Sequence, residues 1–226
     1  ELREAIDAGI GRIIIDNFHE LELVDRIAHN MGRVQTIILR LSPAVDARTH
    51  AKTTTGTLDT KFGFPIPTGA AEQAIVEARR LAGVDLAGLH SHLGSPLFDL
   101  EPYDEANAVM LPFAAAMKKK HGLDLREYSP GGGFAAQYLR ERPAPSTGAY
   151  AEAVVASFKR RCEENGLPLP HLFVEPGRSL VARAGVALYT VGARKEVEGL
   201  RTWISVDGGM ADNIRPAIYD AKYEAV

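Results

Sequence analysis

Short β-rich runs alternate with amphipathic helical segments along most of this sequence, and this alternation restricts the fold more than any other feature. The apolar runs lie at residues 13–15, 36–41, 86–90, 125–128 and 171–174. Segments with helical periodicity separate them. Alternation of this kind is typical of a parallel sheet, because a crossover must carry the chain back between parallel strands. We therefore predict an α/β fold with five strand-helix units.

Local signals mark the ends of several predicted helices. Asn17, followed three residues later by Glu20, has the spacing of a capping box, which predicts a helix start. Pro102 suits the first turn of a later helix. The run Lys118–Gly122 places cations and then a glycine where the end of a helix favours them. We interpret this basic run as a helix end rather than a patch for nucleic acid.

The alternation stops near residue 185. Runs 186–191 and 202–206 both have strand character, with only turn-forming residues between them. We predict one domain over 1–184 and the start of an all-β domain over 185–226. A closed (β/α)8 barrel needs eight units, and the sequence opens in helical residues Glu1–Ala5 without an initiator Met. We therefore expect missing upstream residues and a TIM-type barrel with about five of its eight units present.

Composition and charge argue against several classes of partner. The 226 residues are 46% hydrophobic with a formal net charge of −3, which is ordinary for a globular protein and does not favour nucleic acid or an anionic membrane. No apolar run approaches the ~20 residues that span a bilayer. The single cysteine, Cys162, excludes an intramolecular disulfide and fits a reducing cytosol, and we interpret it as a helix packing residue.

Glycines and charged residues follow the predicted strands, at the ends where parallel α/β folds bind ligands. Gly131–Gly133 would let backbone N–H groups approach a phosphate, although a plain turn is an equal alternative. Ser95 beside Gly94 offers a hydroxyl to the same anion. Glu175 and Arg178 offer a carboxylate and a guanidinium, with a surface ion pair as the alternative.

Two histidines lie at the end of the third strand. His90 and His92 alternate along the chain, so we expect one to point into the packing and the other toward the ligand end. Asp99 or Glu101 would complete a metal site with them, but no thiolate or further histidine at ligand spacing supports it, and we predict no metal. The imidazole, carboxylate, arginines and phosphate cradle together suit pyridoxal phosphate with an amino acid.

Several motifs in a fixed order resemble the alanine-racemase-type pyridoxal-phosphate decarboxylases. They read HSHLGS, PGGGF, EPGRSLVARAG and DGGMADNIRPAIY, and they are preceded by Thr55–Gly56 and Lys61–Gly63. The similarity covers essentially the whole sequence. It implies that His92 stacks on the cofactor ring and that Glu175 faces the pyridine nitrogen and keeps it protonated. The residues implied to contact the cofactor are His92, Ser95, Gly131, Gly132, Gly133, Glu175, Pro176, Gly177 and Arg178.

The stretch Asp207–Tyr219 is more similar to the diaminopimelate decarboxylases of that family than to the ornithine or arginine decarboxylases. The resemblance implies that Arg215 and Tyr219 hold the distal end of the substrate, which carries a second carboxylate. Ornithine has an amine there, which an arginine would repel. Arg178 is implied to reach a substrate carboxylate as well. The implied reaction is decarboxylation of meso-2,6-diaminopimelate to L-lysine by a cytoplasmic homodimer.

One family feature has no counterpart in the sequence. No lysine occupies the motif of the family's Schiff-base lysine, so we expect these 226 residues alone to have no decarboxylase activity. Two alternatives stay open. One is a related decarboxylase acting on ornithine, arginine or a carrier-bound glutamyl group, and the other is a non-catalytic homologue. Departures from the family pattern at Pro96, Ser129–Pro130 and Lys222–Tyr223 bear on the substrate rather than on the cofactor.

Overall fold

The computed structural model describes residues 1–45 and 61–224, so the motif residues Thr55 and Gly56 lie outside the described residues. A parallel sheet of strands connected by helices makes up most of the structure. The strands of this sheet are β1 (Ile13–Ile15), β2 (Gln35–Ser42), β3 (Phe64–Pro65), β4 (Val84–His90), β5 (Glu127–Ser129) and β6 (His171–Leu172). The long helices are α2 (Phe18–Asn30), α3 (Ala70–Ala78), α4 (Glu101–His121) and α5 (Thr147–Glu164), preceded by α1 (Leu2–Asp7).

The sheet has the spatial order β1-β2-β4-β5-β6, and β3 pairs with β2 away from this path. All of these pairs are parallel. The predicted α/β class with five strand-helix units is therefore confirmed. Within the described residues β1 and β6 are the two ends of the strand order, so the barrel is not closed.

The predicted helix ends are confirmed in detail. Asn17 is the N-cap of α2, and its side chain accepts a hydrogen bond from the Glu20 amide at 2.9 Å. The Glu20 carboxylate reaches back one residue beyond the N-cap and accepts from the amide of Asp16 at 2.6 Å. Pro102 lies in the first turn of α4, and Gly122 ends that helix in the left-handed region at φ 68°.

The main hydrophobic core lies between the sheet and helices α2 to α5. Ile37, Ile38 and Leu39 are successive residues of β2 and all have 0% exposure. A strand buried on both faces agrees with the nearly continuous apolar run that predicted it. Cys162 is fully buried in α5, and burial raises the pKa of its thiol to about 11. A protonated, inaccessible thiol is consistent with a packing residue.

A separate antiparallel hairpin follows the sheet, formed by β7 (Val191–Val197) and β8 (Arg201–Val206). The prediction of a strand over 186–191 is wrong, because the strand begins only at Val191. In the hairpin register Val191 pairs with Val206 and Val197 with Arg201, so β8 has no residues left to pair with 186–190. Val186 and Leu188 alternate as strand residues do, yet they are 86% and 89% exposed.

A buried polar network joins β5 to two helices. The Tyr128 hydroxyl donates to Asn107 Oδ1 at 2.6 Å, and Asn107 donates to Ser157 Oγ at 3.1 Å. Ser157 in turn donates to Asp104 Oδ1 at 2.6 Å, next to Arg160. Each side chain in the network has a hydrogen-bond partner in the next one. The network therefore fixes how α4 and α5 pack against the sheet.

Replacing Asn107 by leucine should destabilise the fold. The Asn107→Leu change leaves the buried hydroxyl of Tyr128 without its acceptor, which costs about 1–3 kcal/mol of unfolding free energy. Chemical denaturation of the full-length protein measures this. Glu152→Ala, at an exposed position of α5, is the control and should change stability by less than ~0.5 kcal/mol. Equal stability of the two variants would contradict the role given to the network.

Candidate active site

The ends of β4, β5 and β6 converge at the glycine triplet Gly131–Gly133. The amide of Glu175 donates to the carbonyl of Gly131 at 3.0 Å, and Gly132 and Glu175 form a parallel bridge. On the other side, the Gly132 amide donates to Nδ1 of His92 at 3.3 Å. The structure thus brings together three segments that sequence reasoning had marked separately.

The glycine triplet has no room for side chains. A Cβ at Gly132 would lie 2.0 Å from the Glu175 carbonyl oxygen, and one at Gly131 would lie 2.3 Å from that of Ser91. Gly133, at φ 94°, would meet the Gly94 oxygen at 2.3 Å. Three glycines are therefore required for neighbouring strand ends to approach each other, before any ligand is considered.

Two buried tyrosines bind the backbone of the glycine triplet and of the segments next to it. The Tyr103 hydroxyl donates to the Gly132 carbonyl at 2.8 Å. The Tyr150 oxygen accepts from the Ala135 amide at 3.0 Å and donates to the Leu97 carbonyl. Burial raises the pKa of both phenols, so they stay neutral donors. The sequence analysis identified neither Tyr103 nor Tyr150 as a site residue, because neither belongs to a local motif.

Glu175 lies against His90. Nε2 of His90 is 3.0 Å from Glu175 Oε1, and the His90 side chain is only 4% exposed, compared with 40% for Glu175. Contact with His90 lowers the pKa of Glu175, and the charge of Arg40 acts in the same direction, against burial, which raises it. The carboxylate is therefore anionic. His90 is buried, as expected for the histidine that points into the packing, but its ring also reaches the site.

His92 is a neutral imidazole in this structure. Burial, followed by the charges of Arg40 and His90, lowers its pKa to about 4. Because Nδ1 accepts from the Gly132 amide, the hydrogen-bond pattern assigns the ring proton to Nε2. Its side chain is half-buried, which leaves part of an apolar ring face accessible to a planar ligand.

Arg40 is a charged residue near the site that the sequence analysis also missed. It lies on β2 opposite His90 in the strand register. Its guanidinium is 3.4 Å from Asp16 and 4.4 Å from the centre of the Phe62 ring. Burial lowers the pKa of Arg40, opposed by the charges of Asp16 and Glu175. A lone arginine inside the apolar run TIILRL was the available signal, since a buried charge needs a partner.

Arg178 joins the segment after β6 to the segment after β4. Its Nε donates to Ser95 Oγ at 3.2 Å, and its Nη1 donates to the Tyr138 hydroxyl at 2.9 Å. Arg178 belongs to α6 (Gly177–Val181), a short helix that the sequence analysis did not predict. Ser95 and Arg178, both predicted to bind an anion, are thus neighbours.

Arg215 and Tyr219 lie together in α7 (Arg215–Tyr219), where the guanidinium is 5.3 Å from the centre of the Tyr219 ring. The described hydrogen bonds and ring contacts of Arg215 do not join it to Glu175 or the glycine triplet. The chain beyond α7 returns toward Arg178, because the rings of Tyr223 and Tyr138 are 5.7 Å apart.

Residues 1–45 and 61–224 contain neither a metal-binding cluster nor a membrane-spanning helix. No cluster of three or more His, Cys, Asp or Glu side chains there could hold a metal ion. No helix in the same ranges is long and apolar enough to cross a membrane.

The donor set fits pyridoxal phosphate. An anionic carboxylate suits a protonated ring nitrogen, and a neutral half-buried imidazole offers a face for the ring. A guanidinium beside a serine hydroxyl suits the phosphate. Fold and site together define an α/β protein whose strand ends are suited to a phosphorylated, nitrogen-containing aromatic group.

Comparison with known proteins agrees with this class. Residues 1–182 match the family described as "Pyridoxal-dependent decarboxylase, pyridoxal binding domain". The chain belongs to the pyridoxal-dependent decarboxylases.

Similar proteins include several diaminopimelate decarboxylases. The one from Bacillus subtilis is 39% identical over 225 residues, covering 100% of this chain and 51% of the relative. The one from Halalkalibacterium halodurans is 38% identical over 224 residues, covering 99% and 51%. A crystal structure of the M. jannaschii enzyme in complex with L-lysine superposes with a TM-score of 0.88 at 32% identity, covering 99% of this chain and 50% of that one. The chain spans about half the length of these relatives.

The two kinds of glycine in the site should respond differently to alanine. Gly132→Ala places a methyl group against the Glu175 carbonyl and should lower the unfolding free energy by about 1–3 kcal/mol. Gly177→Ala has nothing within 4 Å of the added Cβ and should change stability by less than ~0.5 kcal/mol. Denaturation of both variants without cofactor tests this. A destabilised Gly177→Ala would show that the fold itself needs that glycine.

The low pKa of His92 predicts how stability depends on pH. The folded protein binds this proton near pH 4 and the unfolded chain near the ordinary value of 6.5, so the unfolded state binds more protons between them. Stability should therefore fall as the pH drops from 6.5 to 4, and His92→Gln should remove part of that slope. NMR of the cofactor-free protein should show no titration of the His92 ring above pH 5.5. Protonation near pH 6.5 would contradict the prediction.

Proposed function

We propose that the full-length protein uses pyridoxal phosphate to decarboxylate meso-2,6-diaminopimelate to L-lysine and CO₂. The observation that carries the proposal is the meeting of Glu175, His92 and the glycine triplet at one edge of the sheet. Family membership supports the cofactor. The named relatives and the Asp207–Tyr219 motif support the substrate.

The cofactor ring would lie between His92 and Glu175. Pyridoxal phosphate, when bound, supplies a protonated ring that accepts the electron pair left as CO₂ departs. Glu175 would hold a proton at the ring nitrogen, a role that needs a carboxylate which stays anionic. His92 would stack on the ring, and its neutrality avoids a second positive charge beside a cationic ring.

The phosphate would lie among the segments that Arg178 already joins. Ser95 and Arg178 offer a hydroxyl and a guanidinium, and the glycine triplet and Pro176–Gly177 offer backbone close to the ligand. Gly177 has open space around it, in contrast to Gly131–Gly133, so its missing side chain leaves room for a phosphate rather than for protein atoms.

The substrate carboxylates would be bound by Arg178, Arg215 and Tyr219. Arg215 and Tyr219 are adjacent in α7, which suits joint recognition of one carboxylate by a guanidinium and a hydroxyl. A second carboxylate at the distal end distinguishes diaminopimelate from ornithine, whose amine an arginine disfavours.

We further infer that the pyridoxal-binding barrel occupies residues 1–184 and that an all-β domain begins at 185. The change from a parallel sheet to the β7–β8 hairpin and the end of the family match at residue 182 support this boundary. We also propose that the full-length protein is a cytoplasmic homodimer.

The test is CO₂ release by the purified full-length protein, with and without pyridoxal phosphate. We expect CO₂ and lysine from meso-diaminopimelate only when the cofactor is present, and no CO₂ from ornithine or arginine. Turnover of ornithine or arginine alone would transfer the proposal to another decarboxylase. Binding of the cofactor without turnover of any of these amino acids would leave two alternatives: a decarboxylase of a carrier-bound glutamyl group and a non-catalytic homologue.

Substitution of Arg215 should separate substrate binding from chemistry. Arg215→Gln removes a charge-assisted contact to the distal carboxylate and should raise KM for meso-diaminopimelate about tenfold or more, with a smaller change in kcat. Arg201→Gln is the matched control, because Arg201 also lies against an aromatic ring, 5.3 Å from Trp203 on the hairpin. An equal KM effect of both variants would argue against a specific role for Arg215.

A further inference from the structure

His90 is a buried histidine that lies beside a site carboxylate. It is the last residue of β4, is 3% exposed, and places Nε2 at 3.0 Å from Glu175 Oε1. Neither ring nitrogen has an aligned hydrogen bond within the described residues, so this approach is oblique and Nδ1 has no described partner. A buried polar ring normally satisfies its nitrogens. The exception here lies beside Glu175, with Nε2 at hydrogen-bond distance from its carboxylate.

We propose that His90 is a positioning residue that holds the Glu175 carboxylate in place for the cofactor's ring nitrogen. The inference rests on the proposed function, because it gives Glu175 a ligand to face. A proton on Nε2 of His90 binds Oε1, which leaves Oε2 for the ligand. Glu175 needs such a contact because its side chain is 40% exposed. The hydrogen bond to the Gly131 carbonyl fixes only the backbone of Glu175 and leaves the carboxylate free to rotate.

The other groups that face Glu175, Arg40 and His92, do not make this contact. Arg40 on β2 acts on Glu175 through its charge, but its described ion pair is with Asp16. His92 uses Nδ1 to accept from the Gly132 amide. Of the described residues that influence the Glu175 carboxylate, His90 is the one within hydrogen-bond distance.

The position of His90 in the sheet keeps its side chain beside Glu175. Its backbone is fixed in the sheet, where it pairs with Arg40 on one side and with Ser129 on the other. Glu175 follows β6, and its amide is bonded to Gly131 in the segment after β5. The two side chains therefore meet because both backbones are held by the same sheet.

The experiment compares two cofactors in the full-length apoprotein: pyridoxal phosphate and its 1-deaza analogue, which lacks the ring nitrogen. The quantity measured is the dissociation constant of the analogue divided by that of pyridoxal phosphate. This ratio should be well above one for the wild-type protein, which should prefer pyridoxal phosphate. His90→Leu should reduce that ratio about tenfold, by weakening pyridoxal phosphate and leaving the analogue unchanged. His90→Gln, which keeps an N–H donor at similar reach, should restore most of the ratio.

Controls separate this role from a structural one. His121→Gln is matched in chemistry, because His121 Nε2 lies 2.8 Å from Glu72 on the surface between α3 and α4, and it should leave the ratio unchanged. If His90→Leu does not fold, His90→Asn, whose shorter amide does not reach Glu175, takes its place. Equal weakening of both cofactors, or no weakening of either, overturns the proposal. A wild-type protein that binds neither cofactor refutes the proposed function instead.

Discussion

The close approach of three strand ends at the glycine triplet is the contact on which the rest of the site depends. Gly132 lies so near the Glu175 backbone that even a methyl group would not fit. That contact places the Glu175 side chain opposite His90, and it turns the Gly132 amide toward His92. Tyr103 completes the arrangement by binding the Gly132 carbonyl from the core. The glycines are therefore needed by the protein before they are needed by a ligand.

The electrostatics of the site follow from this packing. Partial burial would favour neutral forms of both Glu175 and His92. Contact with His90 and the charge of Arg40 keep the carboxylate anionic, whereas the same arginine adds to burial in keeping His92 neutral. One guanidinium on β2 thus lowers the pKa of both neighbours, which keeps Glu175 charged and His92 neutral, and the combination suits a cationic nitrogen heterocycle.

Much of the fold could be predicted because its signals are local. The cap at Asn17 and Glu20 and the helix end at Gly122 depend on residues a few positions apart. The misplaced strand at 186–191 failed for the opposite reason. Residues 186–190 do have an alternating pattern, but a strand also needs a neighbouring strand to pair with. The register of the hairpin pairs β8 with 191–197, so 186–190 have no strand opposite them.

The sequence by itself determined the alternation of strands and helices, the order of the motifs and the side chains available for chemistry. These depend on residue type and short spacing, which are fixed once the chain is written. Only the tertiary structure decided that His90 meets Glu175, that Arg40 lies opposite His90, and that Tyr103 binds Gly132. These contacts join residues far apart in the chain, and their geometry is set by sheet register and core packing, which no local pattern encodes.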